Sequence, residues 1–102
     1  QVILNLVNNA VDALPQGGDV FIETRLNKEA KSVEVIFDDN GIGISSEDQK
    51  RVFEPFFTTK EPGRGTGLGL SICNNIISAH NGKITLESRI GNGTRFVVSL
   101  PI

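Results

Sequence analysis

The chain opens with side-chain amides that could hold a metal ion. Over residues 1–14 the apolar residues recur at helical spacing. On a helix that turns ~100° per residue, the polar residues fall within roughly a 100° arc. Amide oxygens are suitable ligands for a hard cation such as Mg²⁺, whereas asparagine lowers helix stability. The arc fits either a metal-binding surface or a solvated face rich in amides, and its members are Gln1, Asn5, Asn8, Asn9 and Asp12.

A second candidate site is the turn DDNGIGI at residues 38–44, directly after a strand-like run. Gly41 and Gly43 permit positive φ and close approach of the backbone to a ligand. The Asp39 carboxylate could accept a hydrogen bond from an exocyclic amino group of a nucleobase, and Ile44 could contact its ring. The alternative is a loop in which Asp and Asn only stabilise the turn. The pattern alone therefore leaves base binding open.

A glycine-rich segment, GRGTGLG at residues 63–69, runs directly into a second helical pattern. Backbone N–H groups at a helix N-terminus bind anions, and glycine allows phosphates to approach closely. Lys60 and Arg64 carry positive charge that could reach a phosphate. A flexible linker is the alternative, but a linker would not place Leu68 and Leu70 among and just after its glycines. The segment therefore favours a phosphate-binding loop.

Two common nucleotide-binding loops do not match this segment. No G-x-x-x-x-G-K-[ST] occurs in the chain, which excludes a P-loop. The dinucleotide fingerprint is a closer rival, because Glu87 follows on a predicted strand about 20 residues later. However, the glycine spacing is G-x-G-x-G rather than G-x-G-x-x-G, and no strand leads into the loop.

Composition limits the remaining possibilities. The 102 residues fit one domain, and a hydrophobic content of 38% supplies a small core. The net charge of −2 gives no indication of a nucleic-acid partner or of direct membrane contact. Cys73 is the one cysteine, which excludes an internal disulfide and suits a small core residue. No apolar run approaches the ~18 residues of a membrane span. The chain starts inside a helical pattern, so we expect residues 1–102 to be a single, N-terminally truncated domain of a larger protein.

The elements that would position these residues follow from periodicity and turn signals. Two substantial helices and a short one accompany runs of strands, which predicts an α/β (α+β) two-layer sandwich. We expect a mostly antiparallel mixed sheet covered on one face by helices. The segment 57–67 lacks periodicity, and we expect it to be a mobile lid when no ligand is bound. The predicted helices span 1–14, 46–52 and 68–80, and the predicted strands span 19–26, 32–37, 83–88 and 94–100.

In this order, the motifs resemble the catalytic ATP-binding domain of sensor histidine kinases. That superfamily includes gyrase, heat-shock 90-type chaperones and MutL, and it implies a Bergerat-type ATP-binding fold. The resemblance covers essentially the whole chain, and its details are most similar to kinases of the nitrogen-regulation and oxygen-sensing type. The matching segments are NLVNNAVDA (5–13, N box), DDNGIGI (38–44, first glycine box), FEPFFTTK (53–60, F box), GTGLGLSI (65–72, second glycine box) and GNGTRFVVSLP (91–101).

The resemblance implies ATP and Mg²⁺ as ligands and assigns roles by position. Asn9 would ligate Mg²⁺ and Asn5 would lie beside the phosphates. Asp39 would accept the adenine amino proton, with Gly43 and Thr94 lining the adenine side. The aromatic residues Phe53, Phe56 and Phe57 would anchor the lid. The implied nucleotide-binding set is Asn5, Asn9, Asp39, Gly41, Gly43, Ile44, Phe57, Lys60, Gly65, Thr66, Gly67, Leu68, Gly69 and Thr94, with Asn9 as the metal ligand.

The first helix also indicates the type of reaction. Hydrolytic members of the superfamily resemble each other in carrying a Glu one helical turn before the metal-binding Asn, where it acts as a general base. Here that position is Asn5, and an amide cannot take a proton from water. Phosphoryl transfer by positioning and charge neutralisation is therefore favoured. The chain would be the catalytic domain of an ATP-dependent protein histidine kinase.

The resemblance places the phosphoacceptor outside this chain. His80, the one histidine, lies at the end of a predicted helix, where the helix dipole favours a cation, so we interpret it as structural. The implied partners are the parent's own dimerisation and histidine-phosphotransfer domain and the receiver domain of a response regulator. A cytoplasmic location is expected, whether or not the parent is anchored in a membrane.

Two other functions share this fold. A serine kinase of the anti-sigma-factor type is one, although those kinases lack an F box like FEPFFTTK at residues 53–60. A degenerate domain that binds nucleotide only as a regulatory switch is the other. Many family members carry a phosphate-contacting basic residue where this chain has Asp12, which keeps that second alternative open.

Overall fold

The computed structural model describes residues 1–57 and 69–102. The described chain folds into a four-stranded sheet with helices packed against it. Its elements are α1 (Val2–Asp12), β1 (Val20–Asn27), β2 (Ser32–Asp39), α2 (Ser46–Gln49), α3 (Gly69–Ala79), β3 (Lys83–Arg89) and β4 (Gly93–Pro101).

The sheet has the strand order β1-β2-β4-β3, and its three pairings are all antiparallel. The predicted α/β sandwich with an antiparallel sheet is confirmed, and the described strands contain no parallel pair of the kind a mixed sheet would have. Because β2 and β4 are central, the end of β2 lies beside the start of β4. The turn that follows Asp39 is therefore next to the β3–β4 hairpin.

The core lies between the sheet and the two longer helices. Side chains alternate along a strand, so every second residue of β2, β4 and β3 faces the helices. Leu6 of α1, 1% exposed, and Cys73 of α3, 0% exposed, fill the space above them. The buried core consists of Leu6, Phe37, Cys73, Ile77, Ile84, Phe96 and Val98.

Several element boundaries differ from the predictions. α1 ends at Asp12 and not at residue 14, while α2 ends at Gln49 rather than near residue 52. The cap of α2 is Ser45, whose hydroxyl accepts a hydrogen bond from the Asp48 N–H at 3.2 Å. The helix begins at Ser46, as predicted.

The buried side of α3 contains Cys73 and Ile77, whereas Ala79 is exposed. The helix packs against both α1 and β3. The predicted role of Cys73 as a small core residue is confirmed. None of the helices in the described ranges is long and apolar enough to cross a membrane.

Candidate functional site

The candidate site is a polar row at one end of the sheet. Asp39 pairs with Thr94 across β2 and β4, and Thr94 pairs with Ser88 across β4 and β3. Because side chains alternate with a period of two, all three lie on the helix-facing side. The preceding row on that side consists of Phe37, Phe96 and Leu86. The sheet thus changes from an apolar floor to a polar edge in one step, and an open cavity of about 300 Å³ lies along that edge.

Asp39 is half-buried and is held from two sides. Its Oδ1 accepts a hydrogen bond from the Gly41 N–H at 3.0 Å, and the Thr94 N–H also donates to the carboxylate. Burial raises the pKa of Asp39 above its ordinary value, the nearby Asp38 charge raises it further, and the two backbone hydrogen bonds only partly offset this. The site therefore presents a poorly solvated hydrogen-bond acceptor.

The turn after Asp39 is packed against two distant parts of the chain. On one side, the Ile42 N–H donates to the Ala13 carbonyl at 3.0 Å, and a Cβ at Gly41 would overlap that same carbonyl. On the other side, Gly43 has φ +76°, and a Cβ there would overlap the carbonyl oxygen of Arg89. Both glycines are therefore needed for contact with the protein's own backbone. Their predicted approach to a ligand stays a prediction.

Ser88 and Gln49 complete the support of this turn, and the sequence did not predict either. The Ile44 N–H donates to Ser88 Oγ at 2.8 Å. The Gln49 side-chain amide donates to the Ile44 carbonyl at 2.8 Å and to the Ser88 carbonyl at 2.9 Å. The place of Ser88 opposite Thr94 follows from the register of a tight β3–β4 hairpin, so it could have been found. No local pattern marks Gln49.

The arc of polar residues on α1 faces the N-terminal end of α3 through Asn5. Asn5 and Asn9 are half-buried, whereas Asn8 is exposed. A Cβ at Gly69 would lie 3.8 Å from Asn5 Cγ. Burial raises the pKa of the Cys73 thiol, and a hydrogen bond with the Asn5 side chain partly offsets this effect. The structure therefore brings Asn5 and Gly69 together, as the predicted site requires.

The side chains of this site fit Mg²⁺ only when substrate phosphates supply further oxygen ligands. No group of three or more His, Cys, Asp or Glu residues within 1–57 and 69–102 is arranged to hold a metal ion. Mg²⁺ is commonly held by one or two protein oxygens together with substrate phosphates and water. A half-buried amide such as Asn9, on the same helix face as Asn5, matches that requirement.

The comparisons with known proteins agree with this geometry. Residues 1–102 match the family described as histidine kinase-, DNA gyrase B- and HSP90-like ATPases. The chain belongs to this family. It is 42% identical over 102 residues to sporulation kinase E of Bacillus subtilis (strain 168), which covers 100% of this chain and 13% of that protein. It is 43% identical over 102 residues to the signal transduction histidine-protein kinase AtoS of Escherichia coli (strain K12), covering 100% of this chain and 16% of AtoS.

Solved structures of the ATPase family show the same fold. The nucleotide-free catalytic domain of histidine kinase ThkA is similar with a TM-score of 0.84 and 41% identity, covering 99% of this chain and 65% of that chain. Full-length ShkA in complex with AMPPNP is similar with a TM-score of 0.85 and 28% identity, covering 98% of this chain and 20% of that chain. The predicted resemblance to histidine kinase catalytic domains is confirmed. The chain spans only a small part of its curated relatives.

Two of the three F-box aromatic residues make ring contacts, and their predicted anchoring of the lid stays a prediction because residues 58–68 lie outside the described ranges. The Phe53 ring meets Phe96 edge to face, with centroids 6.5 Å apart. The Phe57 ring lies under the Arg51 guanidinium, 4.7 Å from its carbon. Phe56 is different, because it is 74% exposed and has φ +68°. The prediction that Phe56 anchors the lid against the body is therefore wrong for the described residues, whose backbone turns its side chain outward.

Part of the predicted phosphate-binding loop lies outside the described residues. This applies to Lys60, Gly65, Thr66, Gly67 and Leu68, and to the predicted mobile lid beyond Phe57. Gly69 is described as the first residue of α3. The structure thus brings together the residues that were predicted to line the base, Asp39, Gly41, Gly43, Ile44 and Thr94, and places Asn5 and Asn9 on the neighbouring helix α1.

Proposed function

We propose that this domain binds Mg-ATP and donates the γ-phosphate to a histidine on a separate dimerisation domain. The phosphoryl group would then pass to the receiver domain of a response regulator in two-component signalling. Asp39 carries the proposal, because its half-buried carboxylate faces the helices at the polar edge of an apolar floor. Such an edge suits a flat ring with an exocyclic amino group.

Each residue of the site has a role in this proposal. Asp39 accepts a hydrogen bond from the adenine amino group, while Ile44 contacts the ring. Gly41, Gly43 and Thr94 keep the wall beside Asp39 in place. Asn9 would hold Mg²⁺, which when bound neutralises charge on the phosphates. Asn5 lies next to Gly69, where the phosphates would enter the N-terminal end of α3.

The same helix argues for transfer rather than hydrolysis. The position one turn before Asn9 is an amide, which cannot act as a general base on water. No histidine within the chain replaces the missing acceptor either. His80 is exposed, its Nδ1 lies 2.8 Å from the Ile76 carbonyl, and it follows α3 at the end opposite Gly69. Eleven helical residues separate the two ends by ~16 Å.

We infer from these roles that residues 1–102 act as one catalytic domain. Its side chains would bind and position the nucleotide, and the phosphate-accepting histidine would belong to a separate domain of the parent protein. A cytoplasmic location follows from this proposal, because its phosphate donor is ATP.

Calorimetric titration tests the binding step. A non-hydrolysable ATP analogue is titrated into wild type and Asp39→Asn, with and without Mg²⁺. Binding in the micromolar range that depends on Asp39 and changes with Mg²⁺ supports the proposal. Absence of binding to a folded wild type contradicts it.

Phosphate transfer to an added helical dimerisation domain tests the second step. Acid-labile phosphate on that domain supports a histidine kinase, whereas acid-stable phosphate on a protein substrate supports the serine kinase alternative. Binding with no transfer to any matched dimerisation domain supports the regulatory, degenerate alternative. Asn5→Glu serves as the comparison variant, because a carboxylate at this position should raise the basal hydrolysis of ATP.

A further inference from the structure

The Ser88 hydroxyl is a junction of three hydrogen bonds. It accepts from the Ile44 N–H at 2.8 Å. It lies 2.8 Å from the carbonyl oxygen of Gly93 and 2.8 Å from Thr94 Oγ1. The Gln49 amide fixes the carbonyl groups of Ser88 and Ile44 at the same time. The junction is therefore held in place from α2, β3, β4 and the turn.

Counting protons assigns a direction to each bond. A serine hydroxyl has one hydrogen and two lone pairs. Ile44 uses one lone pair, and the Gly93 carbonyl, which can only accept, requires the hydrogen. The contact with Thr94 at 2.8 Å can then be satisfied only if the Thr94 hydroxyl donates to Ser88. The Thr94 hydrogen is thereby used, and its oxygen can only accept from any other group.

Three of the nearby backbone donors are used as well. The N–H groups of Gly41, Ile42 and Ile44 bind Asp39, Ala13 and Ser88, respectively. Thr94 and Asp39 are directly opposite each other on one face of the sheet, so their Cβ atoms are about 5 Å apart. The ionised carboxylate and the Thr94 oxygen together form an edge that only accepts hydrogen bonds.

We propose that Ser88 is a positioning residue that sets the hydrogen-bond direction of Thr94 and so makes the site select a 6-amino purine over a 6-oxo purine. The proposal rests on the proposed nucleotide-binding function and adds a determinant of base specificity to it. A 6-amino group supplies donors to the accepting edge. A 6-oxo group brings another acceptor to that same position and leaves buried polar atoms unpaired there, and the N1–H donor that accompanies it lies one ring position away. Without Ser88, the Thr94 hydroxyl can rotate and donate to a 6-oxo group.

The test is the ratio of affinities for ADP and IDP, which differ in the 6-substituent and the adjoining ring nitrogen. Titrations with Mg²⁺ are made on wild type, Ser88→Ala, Ser88→Thr and Thr94→Val, each checked for folding by thermal unfolding. Wild type is expected to prefer ADP by about tenfold or more. Ser88→Ala should reduce this preference by about fivefold or more, and Ser88→Thr should retain it because the hydroxyl is kept.

A purely structural role for Ser88 gives a different result. Both affinities would then fall together and the ratio would stay within about twofold of wild type, which overturns the inference. If Ser88→Ala does not fold, Thr94→Val decides, since it leaves the Ser88 bonds to Ile44 and Gly93 intact. An unchanged ratio in that variant also overturns the inference. Equal binding of ADP and IDP by wild type rejects the inference alone, whereas binding of neither rejects the proposed function and the inference with it.

Discussion

Asp38 and Asp39 are consecutive in the chain, but their carboxylates lie on opposite faces of the sheet. Asp38 faces away from the helices, and Arg95 binds it with two hydrogen bonds of 2.9 Å. Asp39 faces the helices and accepts from the backbone N–H groups of Gly41 and Thr94. The pleat of β2 thus gives two identical side chains different surroundings. One of them stabilises the sheet and the other is available to a ligand.

This difference predicts opposite results from one substitution made at two positions. Asp39→Asn should weaken binding of an ATP analogue by about tenfold or more. The one remaining oxygen is shared by two backbone N–H donors, and the new side-chain NH2 group would face the amino group of adenine, which is also a donor. Asp38→Asn should bind within about twofold of wild type and change stability little, since its ion pair with Arg95 is partly exposed. Calorimetry and urea unfolding measure the two quantities. Equal loss of binding in both variants would place the ligand elsewhere.

The raised pKa of Asp39 predicts that its ionised carboxylate lowers the stability of the folded domain when no nucleotide is bound. A carboxyl group whose pKa is higher in the folded state than in the unfolded state stabilises the fold when protonated, and this stabilisation is lost as pH rises through the folded pKa. In the absence of nucleotide, Asp39→Asn should therefore be at least as stable as wild type at neutral pH. The advantage should shrink as pH falls toward the ordinary value of 3.8. Thermal unfolding as a function of pH measures it, and a variant that is clearly less stable at neutral pH contradicts the prediction.

Local patterns were sufficient for the type and order of the elements, but they ended β2 at residue 37, whereas the strand continues to Asp39. They were not sufficient for contacts made between distant segments. Gly41 and Gly43 were interpreted as glycines for a ligand, but their close neighbours are the backbones of Ala13 and Arg89. Such neighbours depend on how α1 and the β3–β4 hairpin pack around the turn, and no periodicity within 38–44 records that packing. The contribution of Gln49 escaped prediction for the same reason.

The packing of Gly43 can be separated from its backbone conformation. Gly43 and Gly91 have similar positive φ values of +76° and +84°, but a Cβ at Gly91 would have nothing within 4 Å. Gly91→Ala should therefore cost about 1 kcal/mol from backbone strain alone. Gly43→Ala should cost about 3 kcal/mol or more, because the turn must also move away from Arg89. Urea unfolding compares the two, and equal costs would show that space at Gly43 is not limiting.

Phe53 and Phe56 offer a similar pair within the F box. Phe53→Ala should cost about 2–3 kcal/mol, because it removes a half-buried ring that packs on the core and on Phe96. Phe56→Gly should be neutral or stabilise the fold by up to ~1 kcal/mol, since an exposed side chain is lost and positive φ is allowed for glycine. The free energy of unfolding is the readout. A large loss in Phe56→Gly would mean that this ring is buried in solution.

The last prediction concerns the metal. Asn8 and Asn9 are adjacent on α1, but Asn8 is exposed and Asn9 is half-buried on the same side as Asn5. Replacing either by Ala should raise helix stability by about 0.5 kcal/mol, so lost binding cannot be attributed to unfolding. Asn9→Ala should reduce the increase in ATP-analogue affinity that Mg²⁺ produces by about tenfold, or ~1.4 kcal/mol, while binding without Mg²⁺ changes little. Asn8→Ala should keep the full Mg²⁺ effect. If both variants keep it, the ion is held by phosphates and water without α1, and the half-buried amide has another purpose.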